Sequence, residues 1–254
     1  MKPEAGSVVP SCWITGEVAV TNNQPAHSGN RLIAALPPRD RARLLAECEV
    51  VELSASDVLF EPGAAMRHAY FPLTGFVSLM ATIDQTMHLE VAQVGNEGMI
   101  GAQLALGITN TSLRSLVRGG GASLRMGAAA FRRELGRSAA LKNLLDRYVG
   151  MRLVQLAQAT GCTRFHVVEA RLARWLLTTR DRAQSNDFHV THETLAAMLG
   201  VRRAGVTKAA TALQKHGLIR YHRGAIEILD RSGLGDASCA CYRIERDAYR
   251  RLLG

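Results

Sequence analysis

The period of the apolar positions changes twice along this chain. From Asn30, the spacing of Leu32, Ile33 and Leu36, then Leu44 and Leu45 after the Pro37-Pro38 break, predicts one or two short helices. From Val50 to about Leu124 the chain becomes a series of short apolar stretches cut by Gly and Pro: VVELSASDVLFEPG, AYFPLTGFVSLMATI, HLEVAQVGNEGMIG and LRSLVRGGGASLRM. Short strands at that interval, punctuated by Gly63, Gly75, Gly95 and Gly119 to Gly121, predict a closed or sandwich-like antiparallel β unit. Helical spacing then returns. From Ser138 to about Ala159, residues Leu141, Leu144, Leu145, Tyr148, Val149, Met151, Leu153 and Leu156 fall on an arc of about 200° at about 100° per residue. An arc that wide suits a helix packed on its own β domain on one side and on a partner chain on the other; burial within one chain is the plainer alternative. A further helix carries Val168, Leu172, Trp175 and Leu176 on one face.

Two short helical patterns follow. Thr191 is a natural N-cap with Glu193 in the first turn, Leu195, Met198 and Leu199 supply an inward stripe, and Gly200 suits a left-handed turn. A second helix runs from Arg202 or Arg203 to about His216, with Gly217 as its cap. Two helices around a short turn containing Gly predict a helix-turn-helix. Taking Arg203 as zero on a helical wheel, Thr207, Thr211, Ala204 and Lys208 lie between about 40° and 140°, while Ala209, Leu213, Val206 and Ala210 lie between about 240° and 340°. The outward face is therefore small, basic and hydroxyl-bearing. GLIRYHRGAIEIL then reads as two short strands around a turn at His222, Arg223 and Gly224, a wing. Residues 1–29, with Pro3, Pro10 and Pro25 and no sustained period, read as a flexible arm.

Charge sharpens this picture. The net charge is +9, and residues 161–254 hold 16 Lys and Arg against 9 Asp and Glu, leaving residues 1–160 close to neutral. Arg202 to Gly224 contains no acid at all, whereas a merely solvated helix face usually mixes both signs. That absence favours double-stranded DNA as the partner of this face. Arg202, Arg203, Ala204, Thr207, Lys208 and Thr211 become candidate groove contacts, and Arg220 and Arg223 candidate phosphate contacts. The five cysteines, Cys12, Cys48, Cys162, Cys239 and Cys241, are odd in number and scattered, so reduced, inert thiols in a cytoplasmic protein are expected. The Cys239-x-Cys241 pair has no neighbouring Cys or His in sequence, and no metal site and no cofactor are expected. No apolar run approaches a membrane span and no secretory signal opens the chain. Catalysis is not expected either: there is no nucleophile elbow, phosphate loop or metalloenzyme spacing.

With FPLTGFVSL in the β segment, the long helix, and THETLAAMLGVRRAGVTKAATALQKHGLI, the chain resembles the Crp/Fnr family of bacterial transcription regulators from about Asn30 to Leu229. The resemblance implies an α+β architecture in four parts. These are the arm (1–29), a cyclic-nucleotide-binding-like β-barrel sensor domain (30–137), a dimerisation helix (138–160) and a winged helix-turn-helix DNA-binding domain (161–254). It further implies a homodimer on an inverted-repeat operator, with RNA polymerase and an unidentified small-molecule effector as other partners. In cyclic-nucleotide-responsive members a Gly-Glu pair meets the ribose and an Arg-Ser pair the phosphate. The matching positions are Gly101-Ala102 and Arg114-Ser115, which makes Gly101, Arg114 and Ser115 the candidate effector contacts. Ala102 lacks the carboxylate, so cAMP is not the expected effector. Ala204 likewise stands where the family often has Glu, so the best-known half-site is not carried over. The alternative from another class is a β-barrel ligand-binding signalling module whose C-terminal domain contacts protein instead of DNA.

Overall fold

The computed structural model describes residues 19–20, 29–83 and 88–254. Most of the arm expected over 1–29 lies outside the described residues, but β1 (Ala19–Val20) pairs antiparallel with a strand of the C-terminal domain, Val20 opposite Phe188. Two short helices follow, α1 (Arg31–Ala34) and α2 (Pro38–Ala46). Buried Asn30 caps the first: its Oδ1 accepts from the amides of Leu32 and Ile33 at 3.1 and 3.2 Å. Its Nδ2 donates to the carbonyls of Gly98 at 2.7 Å and Pro72 at 3.1 Å, so one side chain ties the helix to the β domain.

The strands are β2 (Glu49–Leu53), β3 (Val58–Phe60), β4 (His68–Pro72), β5 (Phe76–Thr82), β6 (His88–Val94), β7 (Leu113–Gly119) and β8 (Gly121–Gly127), with a 3-10 turn at Ala102–Leu106. Of the two expected forms they take the sandwich-like one, and do not close into the barrel that the resemblance implied. One antiparallel sheet has the order β2-β8-β4 and a second β3-β7-β5-β6. The two share a core through Phe71 and Met126 of the first and Phe60, Val77, Val94 and Val117 of the second. The run Gly119 to Gly121 lets the chain pass close to the β4–β5 turn. A Cβ on Gly75, at φ +67°, would stand 2.2 Å from the Gly119 carbonyl oxygen.

Helix α3 (Ala128–Arg137) leads into α4 (Ala139–Phe165), capped by Ser138, whose side chain accepts from the Leu141 amide. The long helix does not stop near residue 160 as expected; Gly161 is carried through and the helix ends at His166. Its wide apolar arc meets two neighbours within the chain and leaves a third side open. Leu141, Leu144, Leu145, Tyr148 and Met151 are buried in the β-domain core. Tyr148 is fully buried, its hydroxyl accepting from the Met99 amide at 3.0 Å and donating to the Met99 carbonyl at 3.1 Å. The C-terminal helix packs on a second side. Val149, Leu153 and Leu156 remain on the outside, Leu153 being 62% exposed.

The C-terminal domain contains α5 (Val168–Ala183), β9 (Asp187–His189), α6 (His192–Leu199), α7 (Arg203–Lys215), β10 (Ile219–His222), β11 (Ala225–Ile228), α8 (Arg231–Ala237) and α9 (Cys241–Leu253). Leu172, Trp175 and Leu176 of α5 join Leu195, Met198 and Leu199 of α6 and Val206, Ala209 and Leu213 of α7 in one core. Phe76 of β5 belongs to that same core, so the two domains are packed together. Among the described residues, no helix is long and apolar enough to cross a membrane.

Candidate nucleic-acid interface

The helix-turn-helix forms where the sequence predicts it, and for the predicted reasons. Thr191 Oγ1 accepts from the Thr194 amide at 3.1 Å, and Gly200 takes φ +61° to end α6. The Arg202 carbonyl opens the next helix by accepting from the amides of Gly205 and Val206. With Val206, Ala209, Ala210 and Leu213 buried, α7 turns Arg203, Ala204, Thr207, Lys208 and Thr211 outward; all five are exposed, as is Arg202 before them. The wing is a two-residue hairpin with His222 opposite Ala225. Both loop residues, Arg223 at φ +47° and Gly224 at φ +89°, are left-handed, the arrangement that matches strand twist in tight hairpins. Arg223 thus stands exposed at the wing tip, while Arg220 is paired with Glu227 across the hairpin. The two wing arginines, equivalent in sequence, are not equivalent in charge. The wing sheet has the order β1-β9-β11-β10, wider than the hairpin alone.

Two residues that the sequence reading passed over join helix to wing. The His192 ring, on the first residue of α6, stacks on Tyr221 of β10 with centroids 4.4 Å apart and planes 8° from parallel. Its Nδ1 lies 3.0 Å from Thr207 Oγ1, which also lies 3.2 Å from the Arg203 carbonyl. Burial, and then the nearby Arg203 charge, push the His192 pKa down, which favours the neutral ring. The Tyr221 hydroxyl donates to the Val190 carbonyl at 3.2 Å, and its amide donates to Gln214 of α7. Thr207 is therefore half-engaged within the protein, unlike Lys208 and Thr211. The signal was there in THETL and IRYH, but only the fold places residues 29 positions apart face to face.

The three candidate effector residues lie at the start of the 3-10 turn and on β7. Gly101 takes φ +85° to open the 3-10 turn, and a Cβ there would stand 3.1 Å from the His68 carbonyl oxygen. Arg114 and Ser115 are consecutive on β7, so their side chains point to opposite faces. Ser115 is buried, and Arg114 pairs with Glu61 at 3.2 Å.

The expectation of scattered thiols is corrected. Cys162 and His166 at the end of α4 meet Cys239 and Cys241 at the α8–α9 junction, and their ligand atoms all lie within 4.8 Å of one another. The Cys-x-Cys pair has its partners in a Cys-x3-His pair 77 residues away from Cys239 to Cys162, a distance in sequence that concealed the grouping. Cys48 is half-buried elsewhere.

The chain thus combines a β domain of two sheets, a long helix and a winged helix-turn-helix with a basic, exposed second helix. Residues 170–237 match the family model of the Crp-like helix-turn-helix domain. The chain also superposes on solved Crp/Fnr structures. A Crp/Fnr-family transcriptional regulator from Eubacterium rectale gives a TM-score of 0.64 at 16% identity, covering 81% of this chain and 96% of that one. FixK2 from Bradyrhizobium japonicum gives 0.65 at 13% identity, covering 76% and 98%. The c-di-GMP-responsive global regulator CLP from Xanthomonas campestris gives 0.63 at 17% identity, covering 76% and 100%. At such identities the likeness establishes the fold, which is that of a Crp/Fnr-type regulator. No curated protein sequence matches the chain.

Proposed function

We propose that this chain binds duplex DNA as a two-fold dimer, reading an inverted repeat with α7 and holding the backbone with the wing. The observation that carries this reading is the outward face of α7. Arg203, Ala204, Thr207, Lys208 and Thr211 are exposed together, with Arg202 at the entry, and no acid lies among them. Small residues permit approach to a groove floor, Arg and Lys donate to guanine edges or phosphate, and Thr contacts phosphate or a thymine methyl. The apolar stripe of exposed Leu153 flanked by half-buried Val149 and Leu156 on α4 supports the dimer, and two copies would place half-site centres about 34 Å, one helical turn, apart. Transcription regulation then runs through the operator, RNA polymerase being the partner beyond DNA. The effector is a ligand other than cAMP, because Ala102 offers no carboxylate to a ribose.

The two sets of cations separate in a binding experiment. Arg203→Ala and Lys208→Ala should each cost about 1–3 kcal/mol per half-site on the operator and little on scrambled duplex. Arg223→Ala should weaken both duplexes alike and lower the salt slope by roughly one. Arg220→Ala should do less, since Glu227 already offsets that charge. Isotherms at several salt concentrations, on an operator selected from random duplex, make the comparison. Equal losses on both duplexes for Arg203 and Lys208 would refute base reading, and absence of salt-dependent duplex binding would favour a protein-contacting module.

A further inference from the structure

We propose that Cys162, His166, Cys239 and Cys241 form a closed tetrahedral Zn2+ site that clips the end of α4 to the C-terminal domain. Cys162 lies in the last turn of α4 and His166 is its extended C-cap four residues on, so the helix end supplies both. Cys239 comes from the turn between α8 and α9 and Cys241 is the first residue of α9; the Cys239 amide donates to the Ala170 carbonyl of α5 and fixes the turn. Cys162 Sγ stands 3.5 Å from Cys239 Sγ, and Cys241 Sγ 3.6 Å from His166 Nδ1. A zinc ion with Zn–S of about 2.3 Å and Zn–N of about 2.0–2.1 Å holds tetrahedral ligands about 3.5–3.8 Å apart. Both separations fit that scale, and 4.8 Å bounds every other one.

The donor set selects the metal. Three thiolates and one imidazole are the ligands of structural zinc, whereas magnesium and calcium want oxygen. An iron–sulfur cluster interposes sulfide-bridged irons between its thiolates and needs them spread wider than a single ion does. All three cysteines are buried and form a cluster of their own, with Ala170 packed against it. Inert buried thiols are common singly, but three of them around one imidazole nitrogen are a different arrangement. Charge agrees as well. Binding sends three thiol protons to solvent and leaves a centre of net charge −1. Arg171 and Arg174 of α5 interact electrostatically with Cys162 and supply the counter-charge. Arg171 also donates to the carbonyl of Leu199, the last residue of α6, so the site connects to the helix-turn-helix. The inference is independent of whether the protein reads DNA.

The test is the metal content of the full chain purified from zinc-supplemented cells, by inductively coupled plasma mass spectrometry. One zinc per chain is expected, retained through gel filtration and released stoichiometrically by a mercurial. Cys162→Ser and Cys239→Ser should reduce it at least tenfold, Cys48→Ser should keep it, and His166→Cys should keep it as a four-thiolate site. Should the serine variants fail to fold, cobalt exchanged into the unaltered protein still decides the matter. Intense visible d–d bands with a thiolate charge-transfer band, the latter stronger in His166→Cys, are the expected signature. A metal-free chain, a Cys162–Cys239 disulfide, iron in place of zinc, or full zinc retention in the Cys162→Ser/Cys239→Ser double variant would overturn the proposal.

Discussion

Leu153→Glu tests whether α4 carries the dimer, and its size follows from the structure. Leu153 is 62% exposed in a single chain, while Leu144, about two and a half turns nearer the start of the same helix, is 3% exposed and already inside the β-domain core. Burying a whole Leu side chain contributes about 1.5–3 kcal/mol, so covering the exposed part of Leu153 contributes about 1–2 kcal/mol per chain. A two-fold axis doubles this to about 2–4 kcal/mol. Glutamate forfeits that term and sets two like charges near the axis, so the dimer dissociation constant should rise at least 30-fold and up to roughly 1000-fold. Sedimentation equilibrium over a range of concentrations measures the shift. Leu144→Glu serves as the contrast. It should damage folding of the β domain, seen in a lowered denaturation midpoint, without acting selectively on association. An unchanged dissociation constant in both Leu153→Glu and Leu156→Glu would refute the reasoning and move the interface off this helix.

Two further changes probe the supports of the fold. Tyr148→Phe leaves both the amide and the carbonyl of Met99 unsatisfied in the core and should cost about 1–3 kcal/mol in urea unfolding, a loss of less than a few tenths arguing against the two bonds. Glu245 on α9 lies between Arg174 and Arg182, each at 3.2 Å, and Arg182 also meets Glu97 at 2.9 Å. Glu245→Gln removes the shared carboxylate charge from this buried network and should destabilise by about 3–5 kcal/mol. Burial alone would raise the Glu245 pKa, but Arg182 and Arg174 outweigh it and hold the carboxyl below its ordinary 4.5. The unfolded chain therefore binds this proton first. The contribution is complete above about pH 4.5 and lost as pH falls through the folded value, so the variant should flatten the acid limb of the stability curve. An acid limb of unchanged slope would show that other carboxylates set it.

What the sequence made legible was whatever rests on local period and local chemistry. The inward stripe and caps of α6 and α7, the wing turn at Arg223-Gly224, and the strand texture between Val50 and Leu124 all depend on neighbours within a few residues. Helices α3, α8 and α9 were passed over, although Tyr242, Glu245, Ala248 and Tyr249 carry a helical spacing that places their inner face on α4 and α5. The strand pattern leaves a closed and a sandwich-like β unit open, because alternation specifies a buried face and not which edge strands meet. The arc of α4 is too wide for one surface, and α9 of the same chain covers part of the side for which the sequence suggested a partner chain. The thiol cluster was illegible for a simpler reason: each half has too few ligands, and only packing of α9 along α4 brings them together.

That packing also bears on how the two domains communicate. Trp175 Nε1 donates to Glu90 Oε1 of β6 at 2.8 Å, and Gln93 Nε2 donates to Glu90 at 3.0 Å and to Thr179 Oγ1 at 3.0 Å. Burial raises the Glu90 pKa, with Ser78 and Gln93 working against it, so the carboxyl depends on these donors to stay satisfied. Swinging the C-terminal domain away would strip Glu90 of Trp175, expose Phe76, and break the Arg182–Glu97 pair at once. Each loss alone costs on the order of 1 kcal/mol or more, and together they make the docked arrangement a defined state instead of one of many. Because Trp175 shares a core with Val206 and Leu213 and bonds Glu90, α5 connects β6 to α7 through directly packed side chains. The contact between the β domain and the helix-turn-helix thus runs through α5, held from one side by β5 and β6 and from the other by the helices it packs against.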